Sequence, residues 1–206
     1  MVNFGSTNAE FYFSKNTVFN FEPGSSIEVN GPVRIGYPLP GFKVDYPSFD
    51  KTVINLQKNS KLIFKGPTFI SSGSSIWIKE NAEVIFNGNN FLARNTTIIA
   101  ANKVEYGKNT SSSWNFSAID DDGHSFHDTD GKPIPRSRRE LIIGDNVAIQ
   151  INVTIPRGIK IGEGSIIGAN TVLRQNIPSY SRVYGKQELD IKEGVTYGFQ
   201  FINQDL

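Results

Sequence analysis

The chain has 206 residues with a formal net charge of +1, 38% hydrophobic and 20% charged. It is long enough to bury a real core, and its balance of charge excludes a nucleic-acid-binding stripe or a disordered acidic tail. It contains no cysteine, which removes disulfides, thiol nucleophiles and thiolate metal sites. The opening "MVNFGSTNAEFYFSKN" lacks a basic start followed by an apolar run, and no apolar stretch approaches ~18–20 residues. Neither a signal peptide nor a membrane-spanning helix is therefore expected, and the cytoplasm is the expected location.

Residues 1–52, rich in Phe, Pro and Gly, read as an extended region that covers the exposed edge of whatever follows. From residue 53 onward, short Ile/Val/Phe segments alternate with Asn/Gly/Ser turns, the signature of an all-β chain. Ile70 and Ile76 are six apart, as are Phe86, Leu92, Ile98 and Val104, while Tyr106, Ser112 and Ala118 carry a shifted frame. Such slips suit irregular corners or small bulges. The period becomes strict downstream in "IGDNVAIQINVTIPRGIKIGEGSIIGANTVLRQNIP". There Ile143, Ile149, Ile155, Ile161, Ile167 and Leu173 recur at every sixth position. Val147, Val153, Ile159, Ser165, Thr171 and Ile177 follow four places later in each unit. A unit of six is a short strand plus a corner. Three units close a triangular coil of about 18 residues, and stacked coils pair as parallel strands ~4.8 Å apart. One coil cannot bury its own inner face, so stacking supplies the core. Asn95, Asn109, Asn115 and Asn152 stand in glycosylation-like triplets, but their spacing suits coil corners better than modification.

Residues 119–139 break the period and read as one long external loop inside the repeat. It holds both histidines, in "IDDDGHSFHDTDG", and ends near the cluster Arg136-Ser-Arg-Arg139, a local anion contact at most. Metal binding, catalysis and a solvated acidic loop all fit this composition. If the segment before His124 is extended, Asp120, Asp122 and His124 share one face. A neutral imidazole can accept a proton near neutral pH, and a carboxylate on its other nitrogen would fix the tautomer. Asp122 or Asp120 could serve. Trp114, just before the loop, either offers a ring face to a sugar or fills a coil corner. Residues 187–206 read as a short C-terminal extension after the repeats stop.

The words "IGDNV", "NVTIPRGIKIGEGSIIGANTVL" and "IPSYS" resemble the hexapeptide-repeat, left-handed β-helix acyltransferases. "SSSWNFSAID" and "DDDGHSF" point within them to the polysaccharide O-acetyltransferase branch. The resemblance covers residues 53–186 as one β-helix domain. It implies the left-handed winding, against the general preference of crossovers. It also implies a homotrimer with active sites between subunits, acetyl-CoA lying along the coils, a carbohydrate acceptor, and a loop histidine as general base. His124 is the implied base. His127 and Asn95 match secondary or acceptor-side positions, and Trp114 joins them. The metal-dependent relatives on this fold use three histidines, and this chain has two, so no metal is expected.

On the donor side the resemblance places acetyl-CoA against Ala148, Ile151, Ala169, Thr171, Arg174 and Lys186. Relatives read "IGDxVWIG" where this chain has "IGDNVAIQ", and "GNPAK" where it has "YGKQELD". Ala148 thus replaces a bulky tryptophan and Gln150 a glycine, while Arg174 offers a phosphate partner. These departures leave an altered donor pocket as one expectation. The alternatives are a non-catalytic sugar-binding β-helix that has lost CoA, and an N-acetyltransferase of an amino sugar.

Overall fold

The structure, a computed structural model, describes residues 1–38, 50–121, 123–134 and 140–185. Among these residues there is no α-helix. The strands stack into three parallel faces of a β-helix. The first face has seven strands, running from Val2–Phe4 to Lys160–Ile161. The second has eight, from Glu10–Phe13 to Arg182–Val183. The third has six, from Thr17–Phe21 to Thr154–Pro156. The chain passes from first to second to third face and back, so every sheet neighbour is one coil away.

Register explains both the strict and the slipping periods. Ile142 pairs with Lys160 and Ala148 with Ile166, giving the expected coil of 18 residues. Upstream the coils are wider: Leu62 pairs with Val84, 22 residues on, and Val84 with Val104, 20 on. Four-residue strands replace two-residue ones there, so the sixfold spacing drifts although each inward position is kept. A register shift between Ile35 and Tyr37 adds one bulge. The residues expected as an N-terminal covering are themselves coiled: Val2 pairs with Ile27, Phe11 with Val33 and Thr17 with Thr52. Their period was hidden because the coil from Val33 to Thr68 takes 35 residues, with a long excursion after the second face.

The core is one column inside the prism. All the sixfold positions named above are buried, including Ser112, Ser165 and Thr171. Coil width selects the side chains. In the wide coils Phe64 stacks on Phe86 at 5.3 Å, and Phe86 on Tyr106 at 4.8 Å. In the 18-residue coils the same column becomes Ile143 and Ile161, because a narrower triangle has no room for rings.

Corners are held by asparagine in the left-handed region. Asn95, Asn115, Asn152 and Asn170 all have φ of 56–59°, a conformation asparagine tolerates better than most residues. Their side chains form a ladder: the Asn95 amide donates to Asn115, Asn115 to Asn152 and Asn152 to Asn170, at 3.2, 2.9 and 2.9 Å. Asn89, Asn109 and Asn146 form a second ladder at the first–second edge. Glycine serves where backbones meet: a Cβ at Gly107 would lie 2.3 Å from the Gly144 carbonyl carbon.

Candidate functional site

The long loop leaves the third face after Ser117–Ile119 and rejoins the first at Leu141–Ile143. Within it Phe126–His127 and Pro133–Ile134 pair as a small antiparallel hairpin, closed by a turn in which Asp128 accepts the N–H groups of Asp130 and Lys132. The hairpin stands over the third–first edge and walls a cleft of about 510 Å³, within the range of small-molecule sites. The floor crosses five successive coils, at Gln57, Lys79, Ala101, Asp120 and Arg157; His124 and Phe126 form the loop side.

Asp120 anchors the loop. It is 6% exposed, and its carboxylate accepts the N–H groups of Ala101, Asn102 and Lys103, the last two at 2.9 Å. Both oxygens are thus engaged by the corner beneath, which makes this residue a clamp on the base of the loop. Burial raises its pKa above the usual aspartate value, against the three N–H bonds that lower it. Asp120→Ala leaves three corner amides unpaired and is expected to cost about 2–4 kcal/mol by chemical denaturation, with Asp120→Asn costing less. The folded-state pKa is the higher one, so this group's contribution to stability declines as pH rises through the raised value and is flat above it. The advantage of wild type over Asp120→Asn is therefore expected to be larger below that window than at neutral pH.

Next to the clamp, Asp121 pairs with Lys79 at 2.5 Å and accepts the Gly123 N–H at 3.0 Å. This ties the first turn of the loop to a coil two layers below. Asp122 lies outside the described residues, as do Lys186, most of the Arg136–Arg139 cluster's surroundings and residues 187–206. His124 is exposed and lines the cleft. His127 is exposed on the hairpin and is not among the lining residues. Among the described residues, no three metal-capable side chains converge.

The remaining site residues named from sequence gather on a different edge. Trp114, 42% exposed, sits at the second–third corner, where its carbonyl accepts the Asn152 N–H at 3.0 Å. Asn95, Ile151 and Ala169 belong to the same corner, with Ala148 at the adjoining end of the second face. Thr171 is buried and accepts the Gly185 N–H at 3.1 Å. Gln150, in place of the relatives' glycine, accepts the Ala169 N–H at 3.0 Å. Arg174 is the exception: by register it lies beside Pro156, on the cleft's edge near Arg157. One strand of the third face separates the two groups, four residues in Thr97–Ala100, or ~13 Å. Lys79, Asp121, Gln57 and Arg157 were not found from sequence; only the coil lengths place them on one edge.

Residues 141–175 match the family described as bacterial transferase hexapeptide (six repeats). The chain is 49% identical over 63 residues to the bifunctional protein GlmU of Methanococcus maripaludis, covering 30% of this chain and 15% of that protein. It is 40% identical over 72 residues to a serine acetyltransferase of Staphylococcus aureus, 34% of each chain. The chain thus spans about a third or less of the curated relatives it matches. The solved structure of the polysialic acid O-acetyltransferase OatWY superposes over 99% of this chain and 94% of its own, with TM-score 0.50 and 19% identity. That likeness shows the fold, a left-handed β-helix. No helix among the described residues is long and apolar enough to cross a membrane.

Proposed function

We propose that this hexapeptide-repeat β-helix is an acetyl-CoA-dependent O-acetyltransferase acting on a sugar or polysaccharide hydroxyl, with His124 as general base. The observation that carries the reading is the position of His124: the single long break in the repeat lifts it over a cleft of ligand size. Two independent likenesses support acetyl transfer, the transferase repeat at 141–175 and the match to serine acetyltransferase. The OatWY fold likeness and the exposed ring of Trp114 support a carbohydrate acceptor. The reaction belongs in the cytoplasm, where acyl-CoA is made.

In the proposed step the neutral imidazole of His124 takes the acceptor's hydroxyl proton as its oxygen attacks the thioester carbonyl. Asp122 holds the other ring nitrogen and stabilises the imidazolium. A backbone N–H on a coil corner receives the oxyanion. The tetrahedral intermediate collapses, the C–S bond breaks, and the imidazolium returns its proton to the departing thiolate. No covalent enzyme intermediate is needed.

The donor and acceptor groups border opposite sides of the third face, and direct attack needs reacting atoms ~3–3.5 Å apart. A homotrimer resolves this, since a heterologous ring sets one copy's second–third edge against the next copy's third–first edge. Ala148, Ile151, Ala169 and Thr171 of one copy then hold the pantetheine arm while His124 comes from its neighbour. Arg174 and Lys186 remain the proposed phosphate contacts.

A second reading rests on Gln150. Its side chain occupies the Ala169 N–H on the donor edge, which favours a sugar-binding trimer without CoA. Release of CoA thiol from acetyl-CoA in the presence of polysaccharide acceptors separates the two. Acceptor-dependent release supports the enzyme, and its absence across sugar and amino-sugar acceptors supports the binding protein.

A further inference from the structure

A second hollow of about 230 Å³ continues the cleft toward the N-terminal coils, sharing Gln57 with it. Its centre is the indole of Trp77, 43% exposed. By register Trp77 stands beside Asn55, and Asn55 beside Asn20. The amide of Asn20 donates to Asn55 at 2.5 Å, which leaves the Asn55 amide nitrogen available. Gln57 accepts the Glu80 N–H at 3.3 Å, leaving its own amide nitrogen, and Glu22 accepts the Lys58 N–H at 2.9 Å through one oxygen, leaving the other. An apolar ring face edged by amide donors and one carboxylate suits a pyranose, whose C–H face covers the indole while its hydroxyls bond the rim.

The lining contains Glu22 and no cation, so the hollow fits an uncharged sugar rather than a carboxylated or phosphorylated one. Burial against a second copy of the chain is the rival use of an exposed tryptophan on this face. It would leave the Asn55 and Gln57 amides desolvated without partners, at about 1–3 kcal/mol each.

We propose that the Trp77 hollow is a neutral-sugar subsite, and that the acceptor is an oligo- or polysaccharide lying along the third–first edge. This rests on the acetyltransferase reading of the adjoining cleft. Trp77 and Ile119 are two coils apart on the third face, or ~10 Å along the axis. A monosaccharide held at His124 does not reach Trp77, whereas an oligomer does.

The test is 19F NMR of the full chain labelled with 5-fluorotryptophan. The chain has two tryptophans, so two resonances are expected, assigned with Trp77→Phe. The probes are cellohexaose, a β-linked galactan hexamer, glucose, galactose and a sialic acid hexamer. The expected result is a saturable shift of the Trp77 resonance with a neutral hexamer, about tenfold weaker with its monosaccharide and absent with the sialic acid hexamer. In turnover, Trp77→Ala is expected to raise KM for that hexamer by about tenfold while kcat stays within about twofold. The proposal is overturned if neither neutral hexamer moves the resonance, if the sialic acid hexamer does, or if Trp77→Ala dissociates the oligomer by light scattering. A Trp77 shift without release of CoA thiol keeps the subsite and removes the acetyltransferase reading instead.

Discussion

His124→Ala is expected to lower acetyl transfer by about 10²–10⁴-fold, the usual contribution of a positioned general base. The loss falls on kcat, because the imidazole acts on the proton that moves in the transition state and lies on the edge opposite the donor residues. Melting temperature and acetyl-CoA affinity are expected to stay at wild-type values, since the side chain is exposed on the loop while the clamp through Asp120 and the Lys79–Asp121 pair remain. The separation of effects is the content of the prediction. A variant that loses turnover and stability together makes His124 a structural part of the loop.

The second large effect concerns where one site's parts come from. His124→Ala and a donor-edge variant such as Ala169→Trp are each expected to be inactive as homo-oligomers. Unfolded together and refolded at equal concentration, they are expected to recover about a quarter of wild-type activity, because random ring assembly sets an intact donor edge against an intact His124 loop at one contact in four. A site built within one chain gives no recovery on mixing. Activity in the mixture is read against each variant refolded alone.

How far the sequence disclosed this molecule depends on coil width. From residue 141 onward, two-residue strands and fixed corners keep the sixfold spacing, so the inward set from Ile143 to Ile177 is legible by counting. Between residues 53 and 118 the inward residues are equally regular in space, but coils of 22 and 20 residues turn that regularity into drift along the chain. Phe64, Phe86 and Tyr106 form one column that no single sequence period displays. The first two coils were illegible for a further reason: the excursion between Tyr37 and Thr52 separates them from the strands they pair with.

The site divides similarly. The break in the repeat marked the loop and brought His124 forward. The triplet of aspartates did not reveal its division of labour, since one-residue steps along an extended chain place Asp120 on the corner amides and Asp121 on Lys79. Lys79, Gln57 and Arg157 are separated by tens of residues and share an edge only through the coil lengths. Gln150 was visible as a departure from the family's glycine, while its bond to the Ala169 N–H required the neighbouring coil.

The central claim is that the second–third edge still receives an acyl-CoA, and calorimetric titration of the purified protein with acetyl-CoA tests it most directly, with free CoA and a longer acyl-CoA as comparisons. The account predicts saturable binding near one site per chain, unchanged in His124→Ala and lost in Ala169→Trp. Absence of binding by all three at about millimolar concentration, weaker than −4.1 kcal/mol, contradicts it and leaves the sugar-binding trimer as the function of this fold.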